Sequence, residues 1–213
     1  MFNFLSEYYK MYIDATITTL EVSLLALLIG ILLGVLICIA KIGTIKLVNY
    51  IAVVYVEVIR NTPILVQIMI IYFALPEIGI ALSPFVSAVT ALALNSAAYV
   101  SEILRAGINA IDKGQMEAGR SLGLSYYQTM KLIIIPQGFK NSLPALGNEF
   151  ISLVKESSIV YFVGVGDIMF AANSIKNATY ETFGPYLIAA LIYFVITSIL
   201  SQLVKKLERK FEK

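Results

Sequence analysis

Val22-Ser23-Leu24-Leu25-Ala26-Leu27-Leu28-Ile29-Gly30-Ile31-Leu32-Leu33-Gly34-Val35-Leu36-Ile37-Cys38-Ile39-Ala40 carries no charged side chain and is bounded by Glu21 and Lys41. An α-helix rises about 1.5 Å per residue, so this run is close to the roughly 30 Å needed to cross hydrocarbon. Pro185 to Val204 repeats the pattern towards the other end. Both are continuous apolar runs and not the short alternating segments of a barrel, so helices are expected. Composition agrees, with 59% of residues hydrophobic and 14% charged. The chain reads as an all-α integral membrane protein.

Three further apolar runs lie between these two and carry isolated charges. Tyr50 to Leu75 contains Glu57 and Arg60, Pro84 to Ile108 contains Glu102 and Arg105, and Leu143 to Val165 contains Glu149, Lys155 and Glu156. The expected spans are about 17–40, 50–75, 84–108, 143–165 and 185–205 within a single transmembrane domain, 1–213. Lys41 and Lys46 follow the first span, Lys113, Arg120 and Lys131 fall between the third and fourth, and Lys205, Lys206, Arg209, Lys210 and Lys213 follow the last. The segment Pro76 to Ser83 has neither Lys nor Arg. By the positive-inside rule the N-terminus lies outside, and the 111–136 loop and C-terminus lie in the cytoplasm.

Phe2, Phe4, Leu5, Tyr8, Tyr9 and Tyr12 among polar neighbours suit an amphipathic segment at the outer interface, and the apolar run starts too late for a cleaved leader. Cys38 sits in an apolar span and there is no His, so disulfide, zinc and haem chemistry have little footing. No G-x-x-x-x-G-K-[ST] loop is present to cradle nucleotide phosphates, so the chain is not expected to hydrolyse ATP.

The loop 111–136 contains Glu117-Ala118-Gly119-Arg120-Ser121-Leu122-Gly123. Gln115 to Leu122 can form two helical turns, stopped by a left-handed Gly123. Such a helix lies across the membrane surface, either as a solvated connector or as a contact for a partner in the water.

Glu117-Ala118-Gly119, then Gly123, Ile133 and Ile135-Pro136, resembles the EAA loop of ATP-binding-cassette (ABC) importer permeases. Gly119 stands where the second Ala is usual and Ile135 where Leu is usual. EVIRNTPILVQ (57–67), YVSEILRAG (99–107), Gly114-Gln115, Pro136-Gln137 and NEFISLVKESS (148–158) extend the likeness to the polar amino acid permeases, the histidine, glutamine and arginine group. The resemblance implies a MetI-like type I importer permease fold, five transmembrane helices with a cytoplasmic coupling helix, in a prokaryotic inner membrane. It implies as partners two ABC ATPase subunits, a second permease subunit, and an extracytoplasmic amino acid binding protein. A homodimer is the simplest case, and no nucleic acid is involved. ATP and magnesium would bind the ATPase subunits, leaving this chain without a cofactor. Glu117, Ala118, Gly119 and Gly123 become the ATPase-contact residues, and motion of this helix would switch the access side of the pore.

Charges inside a membrane each cost roughly 2.5–3.5 kcal/mol on insertion scales and need partners or a task. Glu57 with Arg60 and Glu102 with Arg105 stand at i and i+3 and can pair. Pro63 lacks a backbone donor, so the second span should kink there. Glu149 has no base within a turn. Glu149, Ser152 and Glu156 share one helical face with Tyr161 on the adjacent stripe, and Asn95, Ser96 and Tyr99 form a polar face on the third span. Where the faces meet, the acid surplus favours a basic amino acid, with Glu149 as counter-ion and Asn95, Ser96, Tyr99, Ser152, Glu156 and Tyr161 lining the site. The same polar groups can instead bridge helices, at about 1 kcal/mol per bond, in which case glutamine or another neutral or acidic substrate fits as well.

Gly30 with Gly34, and Ala93, Ala97 and Ser101, form small-residue stripes that let helices approach closely. The basic tail from Lys205 suits anionic lipid. A secondary transporter would require inverted repeats, and a membrane-embedded enzyme a nucleophile with its base; neither is visible.

Overall fold

A computed structural model describes residues 5–211. Phe2 and Phe4 at one end and Lys213 at the other lie outside the described residues. The described chain is helical, and two of its long helices are interrupted where polar side chains gather.

The first helix, α1, runs unbroken from Leu5 to Ile42. The residues expected to lie at the outer interface before residue 17 are thus continuous with the first span in one helix. Nothing between Tyr8 and Val22 breaks the helix, and its tyrosines have neighbours: Tyr12 is 3% exposed and donates through its hydroxyl to the carbonyl of Pro185 at 2.8 Å.

Helix α2 spans Lys46–Arg60, and after Asn61-Thr62-Pro63 the short α3 spans Ile64–Met69. A π-helical turn, Ile70–Ala74, and a 3-10 turn, Leu75–Ile78, follow. The chain bends by 104° at Pro63, so 50–75 is not one straight span. Gln67 spans the break: its Nε2 donates to the carbonyls of Ile59 and Thr62, both at 2.9 Å, beside Pro63, which has no backbone N–H to offer them.

Helix α4, Pro84–Asn109, starts with proline in its first turn and a Ser83 cap. It is the most buried helix and packs along α1. A Cβ on Gly30 would lie 2.9 Å from Ser96 Cβ, and one on Gly34 would lie 2.6 Å from Val100 Cγ1. The glycine stripe of α1 thus meets Ser96 and Val100 of α4, and touches the Ala93–Ala97 stripe only at the Ala93 and Ala97 carbonyls, 3.4 and 3.0 Å from the added Cβ atoms.

The 111–136 loop is mostly helical. It holds α5 (Lys113–Ser121), α6 (Tyr126–Thr129) and a π-helical turn, Met130–Ile134, that runs into α7 (Ile135–Glu156). The helix of the fourth span thus begins at Ile135 and not near 143. It loosens into a 3-10 turn, Ser157–Val163, closed by Gly164 at φ 84°.

Helix α8, Ile168–Thr179, follows at 48° and has no counterpart among the expected elements. Its anchor is Asp167, fully buried, which accepts from the backbone of Met169 at 3.2 Å and Phe170 at 2.9 Å and from the Tyr193 hydroxyl at 3.2 Å. Thr19 Oγ1 accepts from Ile168 N at 3.2 Å, so one polar knot joins α1, α8 and the last helix, α9 (Phe183–Phe211).

Among the described residues three helices are each long and apolar enough to cross a bilayer, and up to five crossings result when each bent pair counts as one. Leu32, Leu36 and Phe194 project outward, as an apolar solvent allows.

Candidate functional site

Two interruptions in the helices face each other. Arg60-Asn61-Thr62 ends α2, and Glu156 ends α7; between them, against Asn95 and Tyr99 of α4, lies a cleft of about 310 Å³. Clefts of similar size elsewhere are lined almost wholly by aliphatic or aromatic side chains. Backbone that leaves the helix at membrane depth persists where it lines a cavity or is satisfied by protein, and both conditions hold here.

The cleft holds a cation, an acid, two amides and a phenol ring. Arg60 places its guanidinium carbon 5.1 Å from the centroid of Tyr99, within cation–π range. Asn95, 5% exposed, donates to Gln67 Oε1 at 3.3 Å, so the amide that mends the α2 break also orients a cleft side chain. The expected Glu57–Arg60 pair does not form. Glu57 accepts from Asn61 Nδ2 at 3.1 Å, while Arg60 turns towards Tyr99. The helix end at Arg60 frees its long side chain from the i−3 register.

Of the seven side chains expected to line the site, Asn95, Tyr99 and Glu156 come together in the cleft. Glu149 is half-buried one layer away, where its Oε1 accepts from Ser96 Oγ at 2.9 Å. Ser152 is half-buried on α7, and Tyr161 sits in the 3-10 turn with its ring centroid 4.1 Å from that of Phe162; none of these four lines the cleft. Arg60, which lines the cleft, and Gln67, which accepts from Asn95, were not among the expected side chains, although both lie in the EVIRNTPILVQ stretch. The signal was the proline between them, which marks a helix end and hence an unpaired backbone.

Glu102 and Arg105 pair as expected, Arg105 Nη2 to Glu102 Oε2 at 2.6 Å. Lys41 of α1 joins them on Glu102 Oε1, and Asn49 of α2 donates to the Lys41 carbonyl. Three helices are thereby tied at one end.

In the 111–136 loop, Asp112 accepts from Gly114 N at 2.7 Å and starts α5. Gly123, at φ 85°, reverses the chain, its N–H donating to Arg120 O at 3.0 Å. Ser125 and Gln128 form a reciprocal capping box on α6. Glu117, Ala118 and Gly123 are exposed, whereas Gly119 is buried against Thr129. Gly119 therefore faces its own chain, and the other side of the helix is the exposed one. Leu122, 83% exposed, and Tyr127, 73% exposed, extend that outer side.

Comparison with known proteins identifies the class. The profile described as "Binding-protein-dependent transport system inner membrane component" matches residues 26–213. The arginine transport system permease protein ArtQ of Bacillus subtilis (strain 168) is 48% identical over 195 residues, 91% of this chain and 89% of that protein. A putative glutamine transport system permease protein GlnP of Rickettsia conorii is 41% identical over 214 residues, 99% of this chain and 98% of that one. A chain from the crystal structure of an amino acid ABC transporter with histidines superposes with a TM-score of 0.96 at 47% identity, covering 99% of this chain and 98% of that one. The methionine transporter MetNI, in an inward facing conformation, shares the fold at TM-score 0.71 and 20% identity, over 96% of each chain. The chain belongs to the binding-protein-dependent transport system inner membrane components, among the amino acid permeases of ABC systems.

Proposed function

We propose that this chain is the permease subunit of an ATP-driven importer of basic amino acids: arginine, lysine or histidine. The observation that carries the reading is the cleft, which offers Arg60 to an α-carboxylate and Glu156 to an α-ammonium with Asn95 and Tyr99 between them. An arginine fork matches carboxylate geometry, and a zwitterion needs both signs at once. Glu149 lies two turns from Glu156 on the same helix, roughly 10 Å along the axis, which suits a second cation at the far end of a long side chain. Ser96 holds that carboxylate in place. The relative named for arginine and the structure with histidines support a basic substrate.

In this reading the chain forms one transmembrane domain, 1–213, whose bent helix pairs each count as a single crossing. The N-terminus is outside and the C-terminus cytoplasmic. Two ABC ATPase subunits bind ATP and magnesium and meet the exposed side of α5 at Glu117 and Ala118, next to Gly123. A second permease subunit completes the pore, and an extracytoplasmic binding protein delivers the amino acid.

A second reading, glutamine as substrate, is favoured by the bond that already satisfies Glu149 and by the relatives named for glutamine. Uptake in proteoliposomes holding the complete transporter separates the two. Labelled arginine, glutamine and glutamate are compared for wild type and Glu149→Gln. Arginine uptake that falls at least tenfold in the variant, with ATP hydrolysis retained, supports the basic reading. Preference for glutamine, or arginine uptake indifferent to the substitution, rejects it.

A further inference from the structure

We propose that Gln67 is a positioning residue that sets the hydrogen-bond polarity of the cleft, turning the oxygen of Asn95 towards the substrate so that it accepts from the α-ammonium. The inference rests on the reading of the cleft as the substrate site, and it places a specificity-determining residue behind that site.

The polarity starts from the backbone. In an unbroken helix the carbonyl of Ile59 would accept from the residue four positions on, which is Pro63 and has no N–H. Gln67 stands one turn beyond. Its own N–H donates to Pro63 O at 3.2 Å, and the residue is 7% exposed. Carbonyl oxygens only accept, so the end of the Gln67 amide that lies 2.9 Å from both Ile59 O and Thr62 O has to be the nitrogen. Both of its hydrogens are then spent. The Gln67 oxygen is what remains to face Asn95, and Asn95 must meet it with a donor, as the 3.3 Å contact from Nδ2 to Oε1 requires. The oxygen of Asn95 is the end left for the cleft, which Asn95 lines.

Two neighbours repeat the arrangement. Asn61 donates from Nδ2 to the carbonyl and the carboxylate of Glu57, at 2.8 and 3.1 Å, and Thr62 donates from Oγ1 to Val58 O at 2.7 Å. Asn61 and Thr62 line the cleft, whereas Glu57, Val58 and Gln67 do not. Three neutral side chains therefore send donors outward and leave acceptors beside the carboxylate of Glu156. Arg60, over the ring of Tyr99, is the cation that balances this wall. An ammonium meets acceptors there, and a carboxylate in its place meets the same oxygens and is repelled. Gln67 acts through Asn95 and not on the ligand, so its effect falls on one substrate group.

The test is competition for labelled arginine bound to the purified permease–ATPase complex in detergent. Two competitors are used: arginine without its α-amino group and arginine without its α-carboxylate. In wild type the first is expected to compete at least about tenfold less well than arginine, as the loss of a hydrogen bond to a charged group implies. Gln67→Met keeps the volume and removes the amide, and Asn95→Ala removes the oxygen; each is expected to narrow that gap at least about threefold. The double variant is expected to match either single, because both act on one hydrogen bond. A residue that merely braces the α2 break would, on substitution, weaken arginine and both competitors alike; a gap unchanged from wild type overturns the proposal. A gap that narrows for the carboxylate-free competitor instead also overturns it, since the nitrogen of Asn95 would then face the cleft. So do effects that multiply in the double variant. Should Gln67→Met not assemble, Asn95→Ala decides: narrowing of the first gap supports the polarity, and narrowing of the second or of neither rejects it. Arg60→Ala tests the reading beneath. Arginine that fails to bind wild type, or binds Arg60→Ala as tightly, means the cleft is not the substrate site. If Arg60→Ala weakens binding while Gln67→Met leaves the gap unchanged, the role of Gln67 alone falls.

Discussion

Arg60 shows how far a single residue can depart from its sequence neighbourhood. Spacing pairs it with Glu57, yet the helix ends at Arg60 and the guanidinium lies over Tyr99. Arg60→Lys keeps the charge but removes the planar fork. In the transport reading its half-saturation concentration for uptake should rise roughly tenfold with the maximal rate less affected, which uptake kinetics would show. Glu102 behaves as its spacing suggests and gains Lys41 as well. Glu102→Gln leaves two bases sharing a neutral amide, and a loss of about 1.5–3 kcal/mol is expected as a lowered unfolding midpoint in detergent. Gly34 is constrained by Val100, so Gly34→Leu should cost about 1–3 kcal/mol by forcing α1 from α4, visible in the same unfolding assay.

Elements were legible where one physical cause dominated. The apolar run Val22 to Ala40, the Ser83-Pro84 start of α4 and the Gly123 turn of the 111–136 loop all follow from local chemistry. Helix α8 did not, because Asp167 caps it from a buried position whose other partner, Tyr193, is far away in sequence. No local rule places an acid inside a membrane domain. Asp167→Ala should free the Met169 and Phe170 amides and cost about 1–2 kcal/mol, with faster hydrogen exchange confined to α8. Exchange that rises equally in α4 would argue against a local anchor. The long α1 was missed for the opposite reason: its first turns are polar enough to read as interfacial, and only α8 and α9 packed beside Tyr12 and Ala15 make them part of the core.

At the scale of the molecule, the exposed faces of α1 and α9 call for lipid, and the proposed orientation puts the basic residues of the 111–136 loop in the cytoplasm. Ser121→Cys in a Cys38→Ser background should react with a membrane-impermeant maleimide only from the cytoplasmic side; labelling from outside would reverse the orientation. By itself the sequence determined the class, since apolar length and the EAA-like spacing are linear properties. It also supplied the two small-residue stripes. Which polar residues share the cleft was decided only by tertiary structure. Asn95, Tyr99 and Glu156 converge with Arg60, while Glu149 turns to Ser96, because the 104° bend at Pro63 sets the end of α2 against the end of α7. A bend fixes where distant side chains meet, and its angle depends on the packing of both sides, which no single segment contains.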